Sequence, residues 1–319
     1  MATGKSSNGG APDFLVRDVR RHERDAFLSL CVANAGAMDR ELGLLDNAHR
    51  DLSFVFGSGT WFLLRLLRLF GKAPVRLMVA EADGRLVGTT ITILSGPWTY
   101  VAAVGVSSSH RRLGIARALV TRAEEIGRAT KKPWLVLDVD ADNTPARKLY
   151  AARGLSSGLR TAWWRLPSIS PVPLETPSEK ITVRTATAAD ISSARSCSAA
   201  SLSIPLPPRC VHPLELVCQN SRSATENWAT GPEGDPTYLV RVYVPRPSSP
   251  SFILCVPGKS PSTPEATAVI ARVREYLKDS GAKDIFAPIR ETDSTTTRAL
   301  ESLRSARLVI SETMWKSIR

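Results

Sequence analysis

The residues best suited to binding chemistry follow the apolar segment Tyr100–Val106. They lie in the sequence VAAVGVSSSHRRLGIARALVTRAEE, which begins at Val101. The pattern predicts a strand, a glycine-containing turn and then a helix that starts at once. Glycine and alanine at alternate turn positions let the backbone approach a ligand, and the first N–H groups of a helix lack partners within it. With nearby positive charge, this arrangement suits an anion such as a pyrophosphate, although the same turn could also bind nothing. The turn consists of Arg111, Arg112, Leu113, Gly114, Ile115 and Ala116, followed by Arg117.

A second segment, LDVDADNTPARKLYAARGL, places polar residues at regular spacings behind an apolar strand. The residues in question are Asn143, Ala146, Leu149, Tyr150 and Gly154. The pattern Arg/Gln-x-x-Gly-x-Gly/Ala after one strand, followed by Asn-x-x-Ala-x-x-Leu-Tyr-x-x-x-Gly after the next, resembles the GNAT superfamily of N-acetyltransferases. The resemblance covers about residues 13–166, and it is specific because both motifs occur in the expected order.

The resemblance implies acetyl-CoA as the co-substrate and gives each motif a role. The turn from Arg111 to Ala116 would hold the pyrophosphate, and Asn143 would contact the cofactor arm. The preceding strand would bind the pantetheine through its backbone, because a bulge splays it from the next strand; its residues here are Val104, Gly105 and Val106. Tyr150 would protonate the departing thiolate, a role suited to a hydroxyl whose pKa lies near that of a thiol. A core tyrosine that only packs its ring is the alternative.

The sequence departs from the family pattern at the position of the general base. Many GNAT enzymes use a carboxylate on the strand before the turn, and residues 98–110 contain none. Asp138 matches the glutamate of the Leu-Glu-Val-Arg sequence in GNAT enzymes that acetylate ribosomal-protein N-termini, whereas Asp140 stands where those enzymes have arginine. The two carboxylates point the same way along a strand, and their proximity would raise one pKa. A solvated strand end is the alternative.

The elements around these motifs predict an α/β fold, with a twisted mixed sheet flanked by helices. Two alternating strands surround Asp83-Gly84, a strong hairpin signal. The second half repeats the closing order of strand, helix, strand, helix and strand. An offset of 151 residues aligns Leu149 with Leu300 and Trp164 with Trp315. These matches favour a diverged duplication, and hence tandem GNAT-like domains.

The predicted organisation is a disordered tail over 1–12, a catalytic GNAT domain over 13–166, a Pro/Ser-rich linker over 167–180 and a degenerate GNAT-like domain over 181–319. The second half lacks the Arg-x-x-Gly turn, because Arg111 falls on Thr263 and Gly114 on Ala266 at an offset of 152. Tyr150 falls on Glu301 at an offset of 151. We therefore expect acyl-CoA binding in the first half only.

Composition and residue spacing limit the kinds of partner that the sequence predicts. The net charge is +12, but the basic residues are dispersed and match no nucleic-acid motif. No apolar run is long enough to span a membrane, and five cysteines without a CxxC pair favour a reducing, cytoplasmic setting. Cys210, His212 and Cys218 fit no zinc spacing, so no metal is expected. The segment Trp61–Phe70 would either border the acceptor site as the second helix or lie on a membrane surface.

Two functions remain open from the sequence. The first is transfer of an acetyl group from acetyl-CoA directly to an amine, in a ternary complex. The acceptor would be a peptide N-terminus, favoured by Asp138 and Tyr150, or a small-molecule amine, favoured by the two-domain layout. The second is a non-catalytic acyl-CoA sensor or scaffold, favoured by the missing strand carboxylate.

Overall fold

The computed structural model describes residues 2–3, 13–43, 55–69, 73–167, 181–200, 224–244, 251–258, 261–279 and 284–319. The strands are β1 Ala2–Thr3, β2 Phe14–Asp18, β3 Val75–Ala82, β4 Arg85–Ser95, β5 Trp98–Val106, β6 Trp134–Asp140, β7 Ser156–Leu166, β8 Arg184–Thr185, β9 Ala224–Thr230, β10 Tyr238–Val244, β11 Ser251–Pro257, β12 Ile285–Arg290 and β13 Ala306–Ser317. The α-helices are α1 Arg24–Ala33, α2 Ala37–Glu41, α3 Ser58–Leu69, α4 Ile115–Ala129, α5 Thr144–Ala152, α6 Ala188–Ala200, α7 Thr263–Asp279 and α8 Ser294–Ser302.

The chain divides into two compact units, and the end of β13 belongs to unit 1. Unit 1 consists of Met1–Ser157 together with Thr313–Arg319, and unit 2 consists of Gly158–Glu312. These limits differ from the predicted ranges 13–166 and 181–319. The reason is strand pairing, since β7 pairs antiparallel with β12, while Met314 and Ile318 lie in the unit 1 core.

Unit 1 has the sheet order β1-β2-β3-β4-β5-β6, followed by the end of β13. Its pairs from β1 to β5 are antiparallel, and β5 pairs with β6 in parallel. Asp83 and Gly84 both adopt positive φ between β3 and β4, so the predicted hairpin is confirmed. Ala2–Thr3 pairs with β2, which corrects the expectation of a disordered tail at those two residues; residues 4–12 lie outside the described chain, as do residues 168–180 of the predicted linker.

Helices cover both faces of the unit 1 sheet because its strands carry apolar residues on alternate sides. On one face, Phe27 and Leu28 of α1 pack against Leu77 and Val79 of β3. On the other face, α4 and α5 cover β6 in a core that includes Leu137. The site described below lies where β5 and β6 end between these two layers.

Unit 2 repeats this plan with the order β8-β9-β10-β11-β12-β7. β11 and β12 are parallel, as are β5 and β6 in unit 1. α7 and α8 occupy the places of α4 and α5 in the element order, and Ile270 and Leu300 contribute to the unit 2 core. The expected mixed α/β fold of two GNAT-like repeats is confirmed.

Residues 61–69 of the apolar segment fall within α3, and Phe70 lies outside the described residues. Its side chains Phe62, Leu63 and Leu66 are 69%, 52% and 42% exposed. Among the described helices, none combines the length and the apolar character required to cross a membrane.

Candidate active site

The candidate site begins at a defect in the sheet. The register of β4 with β5 shifts between Thr89 and Ile91, and Ala103 has φ +50°, so β5 carries a bulge. The parallel pairing of β5 with β6 runs only from Trp98↔Trp134 to Val101↔Leu137, although both strands continue further. The two strands therefore part, and the predicted pantetheine-binding residues lie on the separated end of β5; these are Val104, Gly105 and Val106.

The turn after β5 presents the start of α4 without a side-chain cap. Gly114 occupies the N-cap position at φ +82°, and no side chain hydrogen bonds to the helix start there. A Cβ on Gly114 would meet no described atom within 4 Å. Ile115 is 1% exposed and anchors the first turn in the core, with Leu113 packed beside it. The first N–H groups of α4 thus receive no side-chain cap from Gly114, and they are available to a ligand or to water.

The arginines of the turn differ in how they are held. Arg111 donates from Nε to the carbonyl of Val106 at 3.2 Å and from its terminal nitrogen to Oδ1 of Asn34 at 3.3 Å. Arg112 adopts φ +68°, and its side chain is exposed, as is that of Arg117. One guanidinium is therefore fixed against the end of β5, and two more add positive charge around the helix start.

Asn34, at the end of α1, is a residue that the sequence analysis missed. Its Nδ2 donates to the carbonyl of Leu30 at 2.9 Å, which orients Oδ1 for Arg111. A Cβ on Gly105 would lie 2.7 Å from the Asn34 Cβ. Glycine is therefore required at 105 so that α1 can approach the bulged strand. No local pattern marks Asn34, because its contact depends on packing across the sheet.

α5 carries the two remaining motif residues. Asn143 is its N-cap and accepts a hydrogen bond at Oδ1 from the N–H of Ala146, at 3.2 Å. Tyr150 is 6% exposed, and its ring packs among Leu137 and Val139. Its hydroxyl has no hydrogen-bond partner within the described chain. Burial raises the pKa of Tyr150 to about 12, so the hydroxyl is protonated at neutral pH.

Asp138 is held by hydroxyl groups from two other strands. Tyr100 donates to Oδ2 at 2.8 Å, and Thr313 donates to Oδ1 at 2.5 Å. Burial raises the pKa of Asp138, while the hydrogen bonds from Thr313 and Tyr100 oppose that rise. The predicted cause, repulsion from Asp140, is not among the contributions to this pKa.

Asp140 instead accepts hydrogen bonds from the start of α2. Its Oδ2 accepts from the N–H of Ala37 at 2.7 Å and its Oδ1 from the N–H of Met38 at 3.2 Å. A Cβ on Gly36 would lie 2.5 Å from Oδ2, so the loop before α2 approaches the carboxylate very closely. Asp140 therefore positions the α1–α2 segment at the end of β6.

The acid and base candidates lie on opposite faces of β6. Leu137 and Val139 face α4 and α5, with Tyr150. Side chains alternate along a strand, so Asp138 and Asp140 point to the other face, where α2 lies. A ligand between the parted strands would thus meet a hydroxyl on one side and a carboxylate on the other.

The matching helix start in unit 2 is closed by its own side chains. Ser262 donates from Oγ to the Glu265 carboxylate at 2.6 Å, and the N–H of Glu265 points back to Ser262 Oγ at 3.4 Å. Glu265 also accepts from Thr237 at 2.8 Å. A carboxylate thus occupies the start of α7, where the start of α4 has a bare glycine and arginines nearby.

Side chains of unit 2 also hydrogen bond to one another at the start of α8, the helix that corresponds to α5. Asp293 caps α8 as Asn143 caps α5, but its second oxygen accepts from Thr296 at 2.5 Å. Thr296 in turn hydrogen bonds to the hydroxyl of Tyr238, which is fully buried. In the parts of the chain that the structure describes, no group of three or more His, Cys, Asp or Glu could hold a metal ion; Cys210, His212 and Cys218 lie outside those parts.

Comparison with known proteins matches the segment that carries the two motifs. Residues 45–155 match the sequence model of the Acetyltransferase (GNAT) family. This similarity covers the segment that carries both motifs. The match includes Arg111–Ala116, Asp138, Asn143 and Tyr150, but it excludes Asn34 and Thr313.

Relatives of known name or structure add detail. One relative, the mycothiol acetyltransferase of Thermomonospora curvata, is 37% identical over 84 residues, which span 26% of this chain and 28% of that protein. The GCN5-related N-acetyltransferase of Sphaerobacter thermophilus has a TM-score of 0.61 at 15% identity, covering 96% of each chain. A tandem GNAT protein from the clavulanic acid biosynthesis pathway has a TM-score of 0.53 at 14% identity, covering 96% of this chain and 99% of that one. The structural likenesses establish a shared fold.

Proposed function

We propose that this protein is an N-acetyltransferase that moves the acetyl group of acetyl-CoA directly to an amine, either a peptide N-terminus or a small molecule. One observation carries the proposal: the uncapped start of α4, behind Gly114, lies at the point where β5 has left β6. Bare helix N–H groups suit a pyrophosphate. The freed edge of β5 offers backbone groups to the amides of the pantetheine arm. The cofactor-binding residues are Val104, Gly105, Val106, Arg111, Arg112, Leu113, Gly114, Ile115, Ala116 and Asn143.

In this proposal Tyr150 is the general acid. The amine nitrogen forms a bond to the thioester carbonyl, the C–S bond then breaks, and the sulfur leaves with its electron pair. A hydroxyl with a pKa of about 12 is present in its protonated form and can give its proton to that sulfur. Among the described residues, none makes a hydrogen bond to this hydroxyl that donation would break.

Asp138 is the general base of the proposal. The acceptor amine must lose a proton before or during attack, and a carboxylate on the α2 face of β6 can take it. Two hydroxyl groups already donate to Asp138, but a carboxylate has about four lone-pair sites and retains capacity for the amine. The amine would thus arrive from the α2 face, opposite to Tyr150.

We further propose one acetyl-CoA site per chain, in unit 1. The start of α7 already holds the carboxylate of Glu265, which would repel a pyrophosphate, and the N–H groups of Ser262 and Glu265 each donate to the other residue's side chain. Unit 2 therefore has a structural role or helps to frame the acceptor.

The test is release of coenzyme A thiol by the full-length protein, with acetyl-CoA and a panel of peptides, polyamines and amino-sugars. We expect thiol release that depends on one class of amine, and binding of one acetyl-CoA per chain by calorimetry. Binding without release for any amine would favour a sensor or scaffold instead. Absence of binding would refute the proposal.

A further inference from the structure

The residues at the end of β13 pack against and hydrogen bond to unit 1. Trp315 contacts Trp134 edge to face, with ring centroids 5.3 Å apart. Lys316 donates to Glu124 at 2.5 Å, and the N–H of Ile318 donates to the carbonyl of Pro133 at 2.9 Å. The end of β13 is thus held by an edge-to-face ring contact, an ion pair and a backbone hydrogen bond. Its position beside β6 is therefore well defined.

Thr313 is the first residue of that segment and points at the proposed base. It is 2% exposed, and its hydroxyl donates to Asp138. The Tyr100 hydroxyl donates to the other oxygen of the same carboxylate. The carboxylate is therefore held at both oxygens by neutral groups, and rotation about its terminal bond would break both hydrogen bonds.

Hydroxyl partners suit a group that must change its protonation state. A backbone N–H or an arginine would stabilise only the carboxylate form. A threonine hydroxyl can donate to the carboxylate and can also accept from the carboxylic acid after the proton has arrived. Thr313 can therefore keep Asp138 in one orientation through the whole proton transfer.

We propose that Thr313 is a positioning residue for acetyl transfer, which holds the Asp138 carboxylate in the orientation that receives the proton of the acceptor amine. The inference rests on the proposed function. It also means that the C-terminal strand, 175 residues away from Asp138 in sequence, completes the site.

Two variants separate the hydroxyl of Thr313 from its packing. Thr313→Val keeps the shape and removes the hydroxyl, whereas Thr313→Ser keeps the hydroxyl. A hydrogen bond to a charged group is worth enough to move the pKa of Asp138 by about one unit or more. We expect the acid limb of the pH profile of kcat/KM to move up by about one pH unit in Thr313→Val and to stay in place in Thr313→Ser. Acetyl-CoA affinity should change less than about 2-fold in both variants.

Other titratable groups in this region could also affect the pH profile, so a second variant is included. They are Tyr100 on β5, Asp140 further along β6 and Asp39 on α2, which accepts from the N–H of Gly36. Tyr150 lies on the opposite face of the strand. Tyr100→Phe removes the second hydroxyl and should move the acid limb in the same direction, and it tests the same idea if Thr313→Val fails to fold.

A direct titration distinguishes failure of this inference from failure of the proposed function. The carboxyl carbon of Asp138 is followed by NMR against pH in the full-length protein, with its resonance assigned from Asp138→Asn. A titration midpoint that rises in Thr313→Val and not in Thr313→Ser supports the positioning role. An unchanged midpoint in Thr313→Val overturns it, whatever the activity. If the midpoint rises but the acid limb persists in Asp138→Asn, Asp138 is not the base, and both assignments fall.

Discussion

Gly114 offers the sharpest test of the cofactor site, because the chain contains a matched control. Gly114 has φ +82° and Gly154, after α5, has φ +79°. A Cβ at either position would have nothing within 4 Å. Any side chain should therefore introduce a similar backbone strain energy at both positions, about 1–2 kcal/mol. Only Gly114 lies at the start of α4.

The expected loss of affinity follows from charge. A carboxylate introduced by Gly114→Glu would lie about 5 Å from a pyrophosphate with about two negative charges, which costs roughly 1.7 kcal/mol even at the dielectric constant of water. Acetyl-CoA binding should therefore weaken at least about 20-fold, and more where protein replaces water. Gly154→Glu should bind within about 2-fold of wild type.

The assay is isothermal titration calorimetry of acetyl-CoA against the full-length variants, after thermal unfolding shows a similar loss of stability in both. No second site of wild-type affinity should remain in the Gly114→Glu variant, because the start of α7 is closed by Ser262 and Glu265. Equal affinity of the Gly114→Glu and Gly154→Glu variants would refute the argument and place the pyrophosphate elsewhere.

Three further outcomes follow from the structure. Tyr150→Phe keeps the ring packing and should lower kcat by about 10²–10⁴-fold in steady-state assays, with a smaller change in KM, whereas near wild-type kcat would make Tyr150 a packing residue. The wild-type kcat should not fall between pH 8 and 10 through loss of that proton, because burial raises the pKa of Tyr150 to about 12. Lys316→Met should lower the free energy of unfolding by about 1–3 kcal/mol. Burial raises the pKa of Glu124, but Lys316 and two arginines lower it overall, so this deficit should shrink in melts as the pH falls below about 4. Asp190→Asn should destabilise the protein by about 3–5 kcal/mol, because it leaves Arg184 without its carboxylate. The Arg184 hydrogen bond depresses the pKa of Asp190, so the loss should be full above pH 4 and absent in strong acid, as denaturant unfolding at several pH values would show.

Short-range patterns in the sequence were sufficient for the fold class and the motif-bearing elements. The Asp83-Gly84 hairpin depends on the φ preferences of two residues. The turn at Gly114 and the cap at Asn143 likewise depend on neighbours within a few positions. Local conformational preference determines these features, so they could be predicted without knowledge of what packs against them.

Contacts around the site that join distant residues could not be predicted in this way. Asn34 meets Arg111 across 77 positions, and Asp140 meets Ala37 across 103. Asparagine and threonine are common surface residues, so neither Asn34 nor Thr313 stood out by type. The only local hint at Thr313 is the polar Ser-Glu-Thr run within an otherwise apolar strand.

The closing strands show most clearly what only the tertiary structure decided. β7 and β13 have similar apolar patterns that end with Trp164 and Trp315, so by pattern alone each could close either sheet. In the structure, Trp164 lies in the core of unit 2, while Trp315 contacts Trp134 edge to face in unit 1. Strand pairing depends on the match of whole edges and side-chain layers, and these exist only after both sheets have formed. The place of the end of β13 in unit 1 is what brings Thr313 to Asp138.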